Sequence, residues 1–425
     1  MERLRRTRRN TRLGTTLSNL LMKLCSCNVK EEGEENKTSL VDLPSSILVA
    51  ILSSLPTMTL LNCRRVCKTW HYLIAQDPYF TKICSETRPN VTDIVFWDLH
   101  SFYLLDLGED SKYVRGYHSP MRFRLHFKPH YRHLRLVGSC NGLLCLTNGN
   151  TLSITNPILG ECVLVPKLER KREVFICIFG FSGATGHYKI VGFGSDVLGG
   201  TTLHSEVVVY TLGTDTWRYV GDAPLPELGI EWWGVTLNGA VHWTSGTSSE
   251  FIYSFHLDKE HVCRPIPLPP DLRNINIHSL RVGVLRNCLC IYHNSSDYLD
   301  IWSMNDYGVA ESWTKIRILK NSIQPMMYPP SSVWRNGETF LPATLWRDGE
   351  ILFSCDWYDS HMFSYNPKER SSTALYLHGL YLKTKRLNCT RGLEFCALPY
   401  RPSFSSLKDA ASTGGLRMVN IRSKQ

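Results

Sequence analysis

Two glycine-rich segments are the first places where this chain could carry out chemistry. Gly192, Gly194 and Val197 occupy the three glycine positions of a dinucleotide-binding fingerprint. Val197 stands where the third glycine is needed for close helix–strand packing, and no helical pattern follows, so no nucleotide site is predicted. Around Ser182, the run Gly-Phe-Ser-Gly-Ala lacks the final glycine of a hydrolase nucleophile elbow. Neither segment predicts catalysis.

Histidines and cysteines number 15 each, enough to raise the question of metal chemistry. Three histidines lie close together, at His126, His130 and His133, but their neighbours are arginines and no carboxylate is near. A solvated loop explains that grouping better than an anion site, and a metal site is a poor fit. The cysteines include no Cys-x-x-Cys pair, and there is neither a His-Glu-x-x-His motif nor a phosphate loop. The sequence therefore predicts no catalytic residue, no metal and no cofactor.

Composition places the chain among ordinary globular proteins. Of its 425 residues, 43% are hydrophobic and 20% charged, and no run of about 18 apolar residues occurs. We therefore expect no membrane partner, and the absence of an apolar signal region argues against export. Scattered cysteines favour reduced thiols, and hence a location in the cytoplasm and/or nucleus.

The net charge of +10 is concentrated at the N-terminus. Six arginines fall within the first dozen residues, at Arg3, Arg5, Arg6, Arg8, Arg9 and Arg12. The rest of the chain is much closer to neutral, so we expect no nucleic-acid partner for the body of the protein. Residues 1–38 are predicted to be a disordered basic and acidic tail, with a nuclear-import or RNA-binding patch and a mitochondrial presequence as alternatives.

Residues 40–84 change to a helical pattern. Pro44 suits the first position of a helix and Pro56 ends that helix, with apolar residues at helical spacing between them. Two more short patterns follow, from about Met58 to Cys67 and from Trp70 to Ala75. Three short helices bury little surface by themselves, so we expect this module to need a partner.

Residues 91–400 read as one large all-β domain. Short β-branched and aromatic runs alternate with turn residues, and tight turns such as Asn141-Gly142 and Asn238-Gly239 precede apolar strands. The repeat of about 45–60 residues predicts a six-bladed β-propeller, with an irregular pair of β-sandwiches as the alternative. The blades should begin near residues 94, 137, 174, 230, 278 and 328, and strands near 392–398 should close the ring. Residues 401–425 are expected to form a flexible tail.

The helical module resembles an F-box. The matching residues are Leu43-Pro44 through Leu55-Pro56, then Leu60 through Trp70 with its Val-Cys-Lys-x-Trp stretch, and finally Leu73 through Phe80. The resemblance implies docking on a Skp-type adaptor of a cullin–RING ubiquitin ligase. It puts eight residues at or beside that interface: Leu43, Pro44, Leu48, Leu52, Pro56, Leu60, Val66 and Trp70. Packing among the module's own helices is the alternative role for each.

The β domain resembles the plant F-box-associated domain, a relative of kelch-type propellers. The resemblance rests on Gly138 through Cys145, Tyr188 through Val191 and Gly234 through Trp243, although the double glycine of true kelch blades is missing. Three aromatic residues beside loops are candidates for contact with a target protein: Trp233, Trp357 and Tyr358. Core packing is their alternative role.

Together these features predict an α+β multidomain protein, with a small three-helix F-box module followed by a large all-β domain. The implied function is substrate recognition in an SCF-type ubiquitin ligase, without catalysis by this chain. The target protein is not identified by the sequence. Two other hypotheses remain open, a propeller-type enzyme and an adaptor-binding scaffold outside a ligase.

Overall fold

The structure is a computed structural model, and it describes most of the chain in separate stretches. The described residues are 43–55, 57–87, 93–97, 102–105, 121–123, 135–147, 151–168, 174–194, 204–224, 226, 234–245, 248–273, 275–276, 279–320, 340–345, 349–355, 361–375, 396–411 and 418–420. Within these stretches, no helix is both long enough and apolar enough to cross a bilayer.

The helical module contains four helices, one more than the sequence predicts. They are α1 (Ser45–Ser53), α2 (Thr57–Cys63), α3 (Lys68–Gln76) and α4 (Pro78–Thr87). Asp77 ends α3 and also starts α4, because its carboxylate accepts from the backbone N–H groups of Tyr79 and Phe80 at 2.8 and 3.0 Å. The sequence carried this signal, since Asp followed by Pro is a typical helix start.

The β domain consists of six sheets arranged as the blades of a propeller, which confirms the predicted fold. Blade 1 comprises β25 (Cys396–Tyr400), β1 (Asp93–Trp97), β2 (Phe102–Leu105) and β3 (Met121–Phe123). Blade 2 comprises β4 (Arg135–Cys140), β5 (Leu143–Thr147), β6 (Leu152–Asn156), β7 (Glu161–Leu164) and β26 (Met418–Asn420). Blade 3 comprises β8 (Val174–Ser182), β9 (His187–Gly194), β10 (His204–Thr211) and β11 (Trp217–Pro224).

The other three blades follow in chain order. Blade 4 comprises β12 (Val235–Leu237), β13 (Ala240–Ser245), β14 (Ser248–His256), β15 (His261–Val262) and β16 (Ile266–Pro267). Blade 5 comprises β17 (Leu280–Leu285), β18 (Cys288–Asn294), β19 (Tyr298–Met304) and β20 (Trp313–Leu319). Blade 6 comprises β21 (Phe340–Leu345), β22 (Ile351–Cys355), β23 (His361–Asn366) and β24 (Ser371–Leu375).

The ring is closed by a strand from near the end of the chain. β25 pairs antiparallel with β1, in a register that sets Tyr400 opposite Asp93 and Cys396 opposite Trp97. The innermost strand of each blade contacts that of the next all the way round, including β21 with β25 and β25 with β4. A closed ring leaves no blade with an exposed inner edge.

Tight hairpin turns account for the regular spacing of the strands. Asn141 and Gly142 have φ of 46° and 81°, Asn238 and Gly239 have 50° and 70°, and Arg286 with Asn287 follows the same pattern. Positive φ at both central residues is the geometry that matches the twist of a two-residue hairpin, and Asn and Gly adopt it readily. The Asn141-Gly142 and Asn238-Gly239 turns lie where the sequence predicts them.

The hydrophobic core of the β domain lies between neighbouring blades. Ile154, Phe179 and Tyr210 join blade 2 to blade 3, while Val209 and Trp243 belong to the cluster that joins blade 3 to blade 4. Similar clusters join blades 4 and 5 and blades 5 and 6. Each blade is therefore stabilised mainly by its two neighbours.

The segment that was predicted to be a flexible tail differs from that prediction. Arg401–Ala411, which we call the strap, follows β25 and includes the short helix α5 (Leu407–Ala410). Phe404 and Leu407 are buried, and farther on β26 pairs antiparallel with β7 at the outer edge of blade 2. The buried side chains of Phe404 and Leu407 hold the strap on the β domain. The small, polar composition of the segment as a whole gave no indication of this packing.

Candidate functional site

The eight residues assigned to an adaptor interface differ in how accessible they are. Four have fully or almost fully buried side chains and pack inside the module: Leu48, Leu52, Leu60 and Trp70. Their packing supports the module's shape, and they are not accessible to a partner docking on this conformation. Val66 is partly buried against the same cluster, and Pro56 lies outside the described residues.

The accessible residues lie at the start of α1 and on the outer side of α3 and α4. Leu43 is partly exposed and Pro44 exposed, and the Pro44 carbonyl accepts from the N–H of Leu48 at 3.1 Å. Pro44 is thus the residue preceding α1, one position earlier than predicted. Ile47, Tyr72 and Tyr79 are 48%, 58% and 57% exposed.

These three exposed side chains were not selected from the sequence. Ile47 is one of the apolar residues at helical spacing between Pro44 and Pro56, and the tyrosines were not singled out. Large apolar side chains left in solvent on a small module mark a docking surface. The exposure of Tyr72 could have been predicted from its position in α3, because it lies next to the buried residues Leu73, Ile74 and Ala75 and is not one of them.

The module is attached to the β domain at the end of α2. Arg64 donates from Nη1 to the carbonyl oxygen of Ile158 at 2.9 Å and from Nη2 to that of Leu159 at 3.2 Å. Both carbonyls belong to the turn between β6 and β7. Burial lowers the pKa of Arg64, and the negative charge of Glu161 partly offsets that effect. The guanidinium therefore serves as a partly buried, charged link between the two parts of the chain.

Apolar packing extends that link into a continuous core. One cluster contains the module's Leu52 and Phe80 together with Val95 of blade 1, Leu144 of blade 2 and Phe404 of the strap. The rings of Phe80 and Phe404 meet edge to face, with centroids 5.9 Å apart. The boundary at residues 84–91 therefore separates the helical module from the β domain along the chain, but the two share one continuous hydrophobic core.

Ser182, which was considered as a nucleophile from the sequence, and the buried His242 both have structural partners. Ser182 is buried and donates to the carboxylate of Asp258 in the next blade, while Thr185 Oγ1 lies 2.7 Å from Ser182 Oγ. His242 is buried, with its Nε2 2.7 Å from the hydroxyl of Tyr307. The Ser182–Asp258 and His242–Tyr307 contacts tie neighbouring blades together, and the Thr185 contact lies within the β8–β9 turn.

Metal and thiol chemistry find no support in the stretches for which side chains are described. There, His, Cys, Asp and Glu nowhere gather in groups of three or more that could hold an ion. Ten cysteines carry free thiols, and burial raises the pKa of Cys140 and of Cys177 to about 12. A thiol with such a pKa is a poor nucleophile at neutral pH.

The predicted target-binding residues, Trp233, Trp357 and Tyr358, lie outside the described residues. The strands that precede them, β11 and β22, are described up to Pro224 and Cys355. Strands alternate in direction within a blade, so both strands end on the side of the ring opposite the β4–β5 and β6–β7 turns. The helical module contacts the β6–β7 turn, so these strand ends point away from it.

Comparison with known proteins agrees with this architecture. The family described as "F-box associated beta propeller domain" matches residues 98–398, and the family described as "F-box-like" matches residues 40–86. Among curated relatives in Arabidopsis thaliana, F-box protein At3g07870 is 28% identical over 70% of this chain and 78% of its own length. Putative F-box protein At3g16210 is 29% identical over 79% of this chain and 89% of its own length.

Solved structures offer only a remote likeness. The WD40 domain of SCAP from fission yeast has a TM-score of 0.31 and 11% identity, covering 73% of this chain and 82% of that chain. A likeness at this level carries no argument about function.

Proposed function

This chain is a plant F-box protein with a C-terminal F-box associated β-propeller domain, and we propose on that premise that it is the substrate-recognition subunit of an SCF-type ubiquitin ligase. F-box proteins in general bind a Skp-type adaptor and act without catalysis of their own. The finer proposal is that the F-box of this chain docks such an adaptor, that a cullin–RING ligase joins through it, and that the propeller holds the target protein.

One observation carries the adaptor proposal: the F-box keeps an exposed apolar face while its other side is packed on the propeller. Pro44 and Ile47 at the start of α1 are exposed, as is Tyr72 on α3. The propeller contacts come instead from the end of α2 and from α4, through Arg64 and Phe80. A partner can therefore bind the free face while the docked arrangement persists.

The propeller is proposed to act by proximity. Holding a target near the ubiquitin-conjugating enzyme raises the effective concentration of its lysines, so the receptor needs no bond-making residue. The end of the ring opposite the F-box is the proposed target side, with Trp233, Trp357 and Tyr358 as proposed contacts. The free thiols fit a reducing compartment and support the proposed location in the cytoplasm and/or nucleus.

A co-purification experiment tests this function. The full-length chain, expressed in plant cells, should recover a Skp-type adaptor together with cullin. Recovery of the adaptor without cullin would favour the scaffold hypothesis. Recovery of neither, from a folded protein, would contradict the proposal.

A further inference from the structure

The strap joins the two functional parts of the molecule. It leaves β25 at Tyr400, whose hydroxyl donates to the carbonyl of Gly142 at 2.9 Å, and it then crosses the end of blade 2. Gly142 has a φ of +81°, and a Cβ at that position would meet both the backbone and the side chain of Ser403. The glycine therefore lets the strap lie directly on the β4–β5 turn.

A single buried side chain organises both the strap and the neighbouring turn. Asn156 donates from Nδ2 to the carbonyls of Ser403 at 3.0 Å and Ser405 at 2.8 Å. Its Oδ1 accepts from the backbone N–H groups of Ile158 and Leu159 at 3.0 and 3.2 Å. Because all four bonds belong to one buried amide, the strap and the β6–β7 turn keep a fixed relative position.

A carboxylate at the start of β7, directly after this turn, fixes the later part of the strap. Glu161 accepts from the Ser406 hydroxyl at 2.9 Å and from the Leu407 N–H at 2.7 Å. The negative charge of Glu161 also favours the charged form of Arg64, the residue that bonds this turn from the F-box side. The β6–β7 region is thus bonded by the strap on one side and by the F-box on the other.

The F-box meets the two halves of that assembly at separate points. Arg64 bonds the Ile158 and Leu159 carbonyls of the turn, while Phe80 packs edge to face on Phe404 of the strap. Thr81 Oγ1 adds a longer contact, 3.4 Å, to the carbonyl oxygen of Phe404. Contacts at two separate points, at the end of α2 and on α4, fix the orientation of the F-box relative to the propeller. A single contact would allow the F-box to rotate.

We infer that the strap and the β6–β7 turn together form an intramolecular docking surface that holds the F-box as a rigid arm on the propeller. The F-box is then not connected to the propeller by a flexible linker alone. Its packing on the propeller sets the direction in which its adaptor-binding face points. Where it concerns ubiquitination, this inference rests on the proposed function: a fixed arm would restrict which lysines of a bound target reach the conjugating enzyme.

The competing arrangement is autoinhibition, in which the docked state blocks the adaptor. That arrangement needs the adaptor to bind residues such as Leu52 and Trp70, which are buried. The exposed positions Pro44, Ile47 and Tyr72 instead leave a face that docking does not cover. The rigid-arm arrangement therefore predicts that loosening the strap leaves adaptor affinity unchanged.

Two truncations form a matched pair for the test. A chain that ends after Tyr400 keeps every strand of the six blades except β26 but loses the strap, whereas a chain that ends after Ala411 loses β26 and keeps the strap. Hydrogen exchange is measured on both and on the full chain. In the Tyr400 variant, amides of residues 57–87 should exchange about ten-fold faster or more, while blades 3–6 stay protected. In the Ala411 variant, residues 57–87 should exchange as in the full chain, because only the β26 pairing with β7 is lost.

A point variant covers the case in which the Tyr400 truncation fails to fold. Phe404→Ala keeps the chain complete and removes the buried ring that packs on Phe80 and on the shared apolar cluster, so it too should loosen residues 57–87. Unchanged exchange of the F-box in Phe404→Ala and in a folded Tyr400 variant would overturn the inference.

Adaptor affinity supplies the second readout. With a purified Skp-type adaptor as the probe, the dissociation constants of the full chain and the loosened variants should agree within about two-fold. Tightening by about ten-fold or more on loosening would indicate autoinhibition and overturn the rigid arm. If no form binds the adaptor, the proposed function fails while the exchange result still decides the docking.

Discussion

Arg64 reaches across the boundary between the F-box and the propeller, and its Nη1 lies 2.9 Å from the carbonyl oxygen of Ile158. The two residues are 94 positions apart in the chain, and the arginine also bonds the next carbonyl. This contact makes the stability of a forty-residue helical module depend on a turn in blade 2.

Replacing Arg64 tests that dependence. Arg64→Ala removes the charged donor from two carbonyls, and hydrogen bonds to charged groups contribute about 1.5–3 kcal/mol. We expect the circular dichroism signal of the helices at about 222 nm to be lost at a lower urea concentration than in the native protein. The free energy of unfolding should decrease by about 2 kcal/mol. Lys68→Ala, which removes an exposed cation on α3, is the control and should leave the transition unchanged.

Docking on the adaptor should depend on the start of α1. The double variant Leu43→Ala and Pro44→Ala should weaken adaptor binding by a few kcal/mol, as loss of anchor residues at an interface does. Circular dichroism should show the same helix content, because neither side chain is buried in the core. Binding that stays at the native level would remove these two residues from the interface.

Leu52→Ala separates packing from docking. Leu52 is completely buried, and removing a buried leucine side chain costs about 2–5 kcal/mol. We therefore expect this variant to lose helix content and adaptor binding together, measured by circular dichroism and by titration calorimetry. Loss of binding with full helix content and native stability would show that Leu52 contacts the adaptor directly.

Local patterns and long-range contacts differ in how far they can be predicted. The Asn141-Gly142 turn and the apolar face of the first helix follow from turn chemistry and helical spacing, but the sequence did not decide whether Leu48 and Leu52 pack inside the module or contact the adaptor. The contact of Phe80 with Phe404 joins residues more than 300 positions apart, and no periodicity encodes such a pairing. The same holds for Arg64, which in the sequence is one of two adjacent arginines.

Buried His242 should make the propeller sensitive to mild acid. Burial lowers the pKa of His242 from 6.5 to about 4, and the side chain is fully buried. Above 6.5 the imidazole is neutral in both the folded and the unfolded state. Below pH 6.5 His242 is protonated in the unfolded state but stays neutral in the folded state. The free energy of unfolding therefore falls as the pH is lowered, by about 3 kcal/mol in total when the pH reaches about 4.

The measurement is the difference between variants. His242→Gln can still bond the hydroxyl of Tyr307 but cannot titrate, so its melting temperature should fall less between pH 7 and pH 4.5 than that of the native protein. His71→Gln, at an exposed position on α3, should behave like the native protein. Parallel curves for all three proteins would contradict a buried neutral imidazole.

Removing the F-box should separate target capture from target degradation. A chain that lacks residues 40–87 keeps β1 and β25, whose pairing closes the ring, so the propeller should still fold. The proposed target side lies at the end of the ring opposite the missing module, so the proteins captured in cells should be the same as with the full chain. Under the proposed function the deleted chain has no link to the ligase, so those proteins should become more abundant, as proximity labelling combined with abundance measurements would detect.

The deletion also exposes what the F-box covers, and this gives the experiment an internal check. Ile158 is 2% exposed, Leu159 8% and Phe404 4% in the full chain, and all three belong to the cluster shared with the F-box. We expect the deleted chain to melt at a lower temperature and to self-associate, and Leu159→Ser in that background should reduce the association by making the uncovered patch more polar. If the deletion abolished capture while the ring stayed folded and monomeric, the F-box itself would belong to the recognition surface. The assignment of target binding to the opposite end would then be wrong.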